Sequence, residues 1–279
     1  MEKQIHNYID KKTEEIIIKK LRTAGCVFAE NEARLLISEA QTLDKLTDMV
    51  EQRVTGLPLE HIIGWADFCG IRIEVEQGVF IPRPRTEFLV KQAAFLATPG
   101  SIIVDLCCGT GAVGAALAKV IGPIELYATD IDPTSVKCAR QNTTFFGGNV
   151  YEGDLYHPLP SALHNRVDVL VTNAPYVPTD SIELLPQEAR KYEKRVALDG
   201  GMEGLDVQKR VASEALIWLA PRGYLLVETS QKQAFQTAEI LAQNGLNPKV
   251  THCVELDATV VIGTRISRGN KACKYHKSH

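Results

Sequence analysis

The sequence predicts an α/β protein in which a small helical domain precedes a seven-stranded, mostly parallel sheet. Three observations predict it. From residue 85 onward, short apolar runs alternate with helix-length amphipathic segments, the pattern of a doubly wound sheet. Residues 1–64 carry helical periodicity alone. The last two apolar runs are separated by Glu255-Leu256-Asp257, too short for a parallel crossover, so the final pair is expected to be antiparallel.

In the first 64 residues, Ile5, Ile9, Ile16, Ile17 and Leu21 recur at roughly helical spacing, and Ala24-Gly25 can end that helix. Ala33, Leu36, Ile37 and Ala40 follow at i, i+3, i+4 and i+7. Thr42 is placed to cap a third helix carrying Leu43, Leu46, Met49 and Val50, which ends near Gly56 and Pro58. These stripes are expected to be core, with Lys11-Lys12 and Lys19-Lys20 on solvated faces. Residues 65–84 read as a hairpin linker: Ile71, Ile73 and Val75 alternate with Arg72 and Glu74, Gly70 and Gly78 supply turns, and Phe80 to Pro84 runs extended. Strands are then expected at 101–106, 124–130, 148–152, 167–172, 222–229, 248–254 and 258–265. Helices are expected near 85–97, 111–120, 133–145, 205–219 and 231–243. The sheet domain spans 85–267, and 268–279 is expected to be a flexible basic tail.

The 279 residues carry 31 Lys and Arg against 34 Asp and Glu, a net charge of −3. A chain whose main partner was duplex DNA or a membrane surface would usually be basic, so neither is expected here. No run of 18 apolar residues suggests a span. The seven cysteines are odd in number and include no C-x-x-C pair, which reads as reduced thiols in a cytoplasmic protein. Cys273, His276 and His279 share a ligand-like spacing, but they lie in the Lys-rich tail, and no metal is expected.

The run Ser101-Ile102-Ile103-Val104-Asp105 ends on a carboxylate and leads into Leu106-Cys107-Cys108-Gly109-Thr110-Gly111. Glycines let a backbone turn tightly and approach a ligand, and the helix that follows offers free N–H groups. Asp130 ends the next strand, 16 residues past Gly114, where a carboxylate can accept from both ribose hydroxyls of a nucleotide-like cofactor. The spacing also satisfies the dinucleotide fingerprint, so a dehydrogenase is an alternative. Three points favour S-adenosylmethionine: Asp105 ahead of the glycines, the preceding helical domain, and the antiparallel C-terminal pair. Asp154 could accept from the adenine amine and Leu155 pack on its ring; a plain turn is the competing reading.

The apolar run Val167 to Thr172 stops on Asn173-Ala174-Pro175-Tyr176. Alone this tetrapeptide reads as an Asn/Pro turn. Beside a cofactor loop it suits methyl transfer to nitrogen. The Asn173 side-chain oxygen and the Ala174 carbonyl can accept the two N–H groups of an amide, and Tyr176 can lie against its plane. Positive charge develops on that nitrogen during transfer, so the same dipoles favour the transition state. Pro175 holds Ala174 extended.

These motifs resemble the HemK-like protein-(glutamine N(5)) methyltransferases, which modify peptide chain release factors. The resemblance rests on Pro58 to Gly64, on Phe80 to Glu87 against I-P-R-P-E-T-E, on Asp105 to Gly111 against D-L-G-T-G-x-G, on Asn173 to Tyr176 against N-P-P-Y, and on Ala197 to Gly201 with Gly204-Leu205. It implies a seven-stranded, Rossmann-like S-adenosylmethionine-dependent methyltransferase sheet. It further implies a helical N-terminal domain for substrate recognition and a protein substrate, a release factor. Cofactor contacts are implied at residues 107–111, Asp130, Ile131, Leu155 and Asn173, and a target glutamine at residues 173–176. Four departures point to a divergent subgroup: Ala174 for the first proline, Cys107-Cys108 for smaller loop residues, Arg85 for an acid, and Glu228-Thr229-Ser230 for Glu-Ile-Gly. Two alternatives stand beside this reading: an adenine N(6)-methyltransferase of nucleic acid, and a catalytically silent relative that keeps the fold.

Overall fold

A computed structural model describes residues 9–266. The first helix, α1 (Lys11–Thr23), begins two residues after Ile9, where the Asp10 carboxylate accepts from the Thr13 N–H at 2.8 Å and caps it. Ile5 and the 268–279 tail, with its Cys/His spacing, lie outside the described residues. Helices α2 (Ala29–Glu39) and α3 (Leu43–Val54) follow, the latter capped by Thr42 as expected. A short α4 (Leu59–Ile63) was not expected. Ile17, Leu21, Ala33, Leu36, Leu46 and Met49 form one buried cluster, whereas Ile16 and Leu43 are 51% and 58% exposed and so are not core.

The linker hairpin pairs β1 (Trp65–Phe68) with β2 (Ile71–Glu74). Beyond it the seven expected strands form one sheet in the order β5-β4-β3-β6-β7-β9-β8. These are β3 (Ile102–Leu106), β4 (Glu125–Asp130), β5 (Asn149–Glu152), β6 (Val167–Thr172), β7 (Leu219–Thr229), β8 (Leu246–Cys253) and β9 (Ala258–Arg265). Strands β3 to β7 are parallel, and β9 runs antiparallel to both neighbours.

Alternate residues of each strand feed opposite faces. Ile103, Val169, Val171 and Leu226 pack beneath α5 (Glu87–Leu96), α6 (Ala112–Ile121) and the hairpin. Val104, Leu170, Leu225 and Val227 face α9 (Asp206–Trp218) and α10 (Ala234–Gln243). Each such Leu or Val, taken fully from water, contributes about 1.5–3 kcal/mol. Helix α7 (Pro133–Thr143) starts at Asp132, whose carboxylate accepts from Ser135.

A second helix besides α4 escaped the sequence reading. Helix α8 (Gln187–Tyr192) is six residues long and buries Ala189 alone, too little for a periodic signal. It and the residue after it tie three regions together. The Arg53 guanidinium joins Glu32 of α2 to Glu188 of α8. Glu193 accepts both from Arg83, at 2.6 and 2.7 Å, and from the Ile81 N–H.

Candidate active site

Strands β3, β4 and β5 progress outward in one direction, and β6 and β7 in the other, so the order reverses between β3 and β6. In an open α/β sheet that switch point leaves a crevice at the carboxyl ends of the strands. The register puts Leu106 opposite Thr172, and the Thr172 hydroxyl donates to the Leu106 carbonyl at 2.9 Å. The glycine-rich loop and Asn173 therefore leave adjacent strands side by side. They open onto one cavity of about 580 Å³.

Asp105, Cys107, Cys108, Gly109 and Thr110 line this cavity, as do Asp130, Ile131, Asp154, Leu155 and all four residues of Asn173 to Tyr176. Gly111 does not. It caps α6 with φ +74°, and a Cβ there would meet Ala139 of α7 at 3.0 Å, so it serves helix packing instead of the cavity.

The loop is held by its own backbone and by two carboxylates. Cys107 and Gly109 adopt positive φ, 56° and 54°. The Gly109 N–H donates to Asp130 Oδ2 at 2.8 Å, and the Asp132 N–H donates to Oδ1 at 2.9 Å. A Cβ at Gly109 would meet no protein atom within 4 Å, so protein packing alone does not demand a glycine there. Asp105 is 1% exposed and accepts from the Gly114 N–H at 3.1 Å; burial pushes its pKa up to about 7. Burial also raises the Cys107 and Cys108 thiols, which stay protonated at neutral pH. Asp154 pairs with Arg210 of α9, and Leu155 is held at φ +49°.

The tetrapeptide is held from outside. The Val177 N–H donates to the Leu198 carbonyl and the Gly200 N–H to the Val177 carbonyl. A Cβ at Gly204 would lie 2.2 Å from the Tyr176 oxygen, so glycine alone permits this approach. Gln233 Nε2 donates to the carbonyls of Tyr176 and Glu203, at 2.9 and 3.0 Å. Ser230 Oγ donates to Gln233 Oε1 at 2.6 Å, which turns the Gln233 amide that way. The serine that departs from the expected glycine thus has a structural purpose. Asn173 Nδ2 donates to Thr86 Oγ1 at 3.3 Å, which leaves the side-chain oxygen for another partner. Among the described residues, no donor reaches the Ala174 carbonyl.

Behind these groups Glu228 is 2% exposed, and burial raises its pKa to about 7. Arg85 stands 3.8 Å from it. An acid at position 85 would face another acid; the arginine supplies a counter-charge. Thr86, Glu228 and Gln233 were given no role from sequence. Thr86 and Glu228 lie inside motifs already noted, whereas Gln233 carried no signal at all.

Residues 74–187 match a family model described as a methyltransferase small domain. The release factor glutamine methyltransferase of Geobacter sulfurreducens is 35% identical over 199 residues, 71% of this chain and 69% of that protein. Its namesake from Mycolicibacterium smegmatis is 34% identical over 234 residues, 82% of this chain and 83% of the relative. The chain belongs to the HemK-like release factor glutamine methyltransferase family. The crystal structure of a methyltransferase from Pyrococcus furiosus superposes with a TM-score of 0.52 at 18% identity, covering 71% of this chain and 90% of that one. The fold is therefore shared with that methyltransferase, and three of the family motifs, at 80–87, 105–111 and 173–176, contribute residues to the walls of a single crevice.

Proposed function

We propose that this protein methylates the side-chain amide nitrogen of a glutamine in a protein, a peptide chain release factor, using S-adenosylmethionine. One observation carries the reading. Among the described residues, the Asn173 oxygen and the Ala174 carbonyl are two acceptors without protein partners, on one wall of the crevice whose other wall is the glycine-rich loop.

The residues present fit the cofactor. An ionised carboxylate has about four acceptor sites. Two of Asp130's are used by backbone N–H groups, and two are left for a pair of ribose hydroxyls. The absent Cβ at Gly109 leaves space on the cavity side. Asp105 would face the cationic end of the ligand, Ile131 the ribose edge, and Asp154 and Leu155 the adenine. S-adenosylmethionine supplies an electrophilic methyl group on a sulfonium.

Asn173 and Ala174 would grip the two amide hydrogens and aim the nitrogen lone pair. On transfer the nitrogen would gain the methyl group in exchange for the carbon–sulfur bond, and the proton it then sheds would pass to water. The developing positive charge is met by two preorganised dipoles. Tyr176 would lie against the amide plane; its phenol pKa is raised by burial, so it stays neutral. The helical N-terminal region is tied to the crevice by the ion pair between its Arg53 and Glu188, which lines the cavity, and this supports a role in holding the protein substrate.

The test is tritiated-methyl transfer from S-adenosylmethionine to purified release factor, with the modified residue mapped by mass spectrometry. Label on one glutamine is expected, and Asn173→Ala should reduce turnover about 100- to 1000-fold, the cost of losing one such dipole. Label in DNA or RNA adenine and none in protein would reverse the assignment.

A further inference from the structure

An asparagine on α7 joins the linker hairpin to the glycine-rich loop. Among the described residues, β2 pairs with β1 alone. Ladder bonds in an antiparallel pair fall on alternate residues. The Val75 N–H donates to the Gly64 carbonyl at 2.9 Å, so the polar groups of Glu74 point away from β1 and need other partners. One side chain meets both. Asn142 Oδ1 accepts from the Glu74 N–H at 2.8 Å, and Nδ2 donates to the Glu74 carbonyl at 2.9 Å. Nδ2 also donates to the Thr110 carbonyl at 2.9 Å, inside the loop, which uses its second hydrogen. A flipped amide would set its oxygen against two carbonyls, so these partners fix its orientation. Ala139 and Thr143 share this side of α7, and a Cβ at Gly111 would meet them at 3.0 and 3.2 Å. Direct contacts therefore run from Gly64, at the end of α4, through β2 and Asn142 to the loop.

We propose that Asn142 is a positioning residue for the cofactor: it holds the glycine-rich loop against the hairpin, so that the loop stands where S-adenosylmethionine meets it. The proposal rests on the reading of that loop as the cofactor site. Thr110 lines the cavity and is 2% exposed, whereas Asn142 does not line it and acts through Thr110. The loop keeps its own turn without Asn142. The Gly111 N–H donates to the Cys108 carbonyl at 2.7 Å, and the Gly109 N–H to Asp130. What Asn142 adds is the placement of that turn. Coupling of this kind is reciprocal. A ligand that favours the placed loop must also steady the hairpin, although residues 71–76 do not line the cavity. A second tie between α7 and the hairpin side, Lys137 to Glu76 at 2.6 Å, involves no loop residue and serves as the control.

Calorimetry, kinetics and amide hydrogen exchange on the whole protein test this. Asn142→Asp keeps the side-chain shape and the acceptor for Glu74 but removes both donors. Its Kd for S-adenosylmethionine should rise about tenfold, the scale of a hydrogen bond lost from a buried carbonyl. Asn142→Ala, which adds no charge, should show the same rise. With release factor as acceptor, KM for the cofactor should rise in step, while kcat at saturating cofactor stays within about twofold of wild type. Lys137→Ala should change neither by more than about twofold, because an exposed ion pair contributes little. In ligand-free protein, Asn142→Asp should quicken exchange in residues 106–112 as well as in 71–75. S-adenosylmethionine should slow exchange at 71–75 in the wild type and lose that effect in the variant. Unchanged cofactor affinity in both Asn142 variants, an equal loss in Lys137→Ala, or a kcat defect that saturation does not repair would overturn the proposal. A wild-type protein that does not bind S-adenosylmethionine would refute the cofactor reading. The ligand-free exchange would still decide the role of Asn142, since quickening confined to 71–75 would mean that the loop is held by other groups.

Discussion

The two walls of the crevice are built by different means. The wall we propose for the cofactor is local: seven consecutive residues, Asp105 to Gly111, turn on positive φ angles and end on the helix they cap. The wall we propose for the acceptor is assembled. Asn173 to Tyr176 is braced by Thr86 from before α5, Gly200 and Gly204 from before α9, and Ser230 and Gln233 from after β7. A local device survives changes elsewhere in the chain. An assembled one can be disabled from a distant part of the chain. That difference orders the consequences of mutation.

The largest effect is expected at a residue that touches neither reactant. Gly204→Ala places a Cβ 2.2 Å from the Tyr176 carbonyl oxygen at a residue with φ +72°. The backbone must move, at a cost of about 1–3 kcal/mol for the conformation alone, before the clash is counted. Methyl transfer should fall at least about 100-fold, the scale of a misplaced site. S-adenosylmethionine affinity by calorimetry should stay within a few-fold of wild type. An equal loss of both would mean that the two walls are one cooperative unit.

Asp130→Ala attacks the other wall. It removes acceptors from two backbone N–H groups as well as from the ligand. Cofactor affinity should drop by about 1–3 kcal/mol, the worth of charge-assisted hydrogen bonds. With the cofactor at saturating concentration, turnover should recover most of its wild-type value. A turnover defect that saturation does not repair would extend Asp130's role to the acceptor side.

The same contrast explains how much was legible in sequence. The seven strands, their antiparallel end and the glycine-rich loop follow from short-range patterns, and the structure places each within a few residues of its expected position. Thirteen of the fourteen candidate site residues line the cavity; Gly111, the exception, differs because a glycine wanted for helix packing looks identical to one wanted for a ligand. Thr86, Glu228 and Gln233 were not assigned because their partners are set by the chain's return path. Helix α8 was missed because its stabilisation lies in long-range ion pairs at Glu188 and Glu193, not in its own periodicity.

Each wall also carries a buried acid poised near neutrality. Asp105 has a backbone donor in Gly114, whereas Glu228 has no hydrogen-bond partner among the described residues. For Asp105 the folded pKa is about 7 against an ordinary 3.8, so the folded state favours the neutral acid. Its contribution to stability is full below about pH 3.8 and is lost as the pH rises through 7. Asp105→Asn, which cannot ionise, should therefore gain stability over wild type progressively between pH 4 and 7 and level off above. Urea midpoints at a series of pH values measure the difference, and a gain independent of pH would remove the ionisation argument.

The smallest effect is expected from Cys107→Gly, which restores a residue that the family loop resembles. Cys107 sits at φ +56°, where a side chain costs energy that glycine does not. Glycine also frees the unfolded chain, and that entropy opposes the gain by about 0.4–1 kcal/mol. The thiol contributes no charge, since burial keeps it protonated. The terms nearly cancel, so stability should change by less than about 1 kcal/mol and cofactor affinity by less than threefold. A large loss in either would show that Cys107 has become a packing element of the loop.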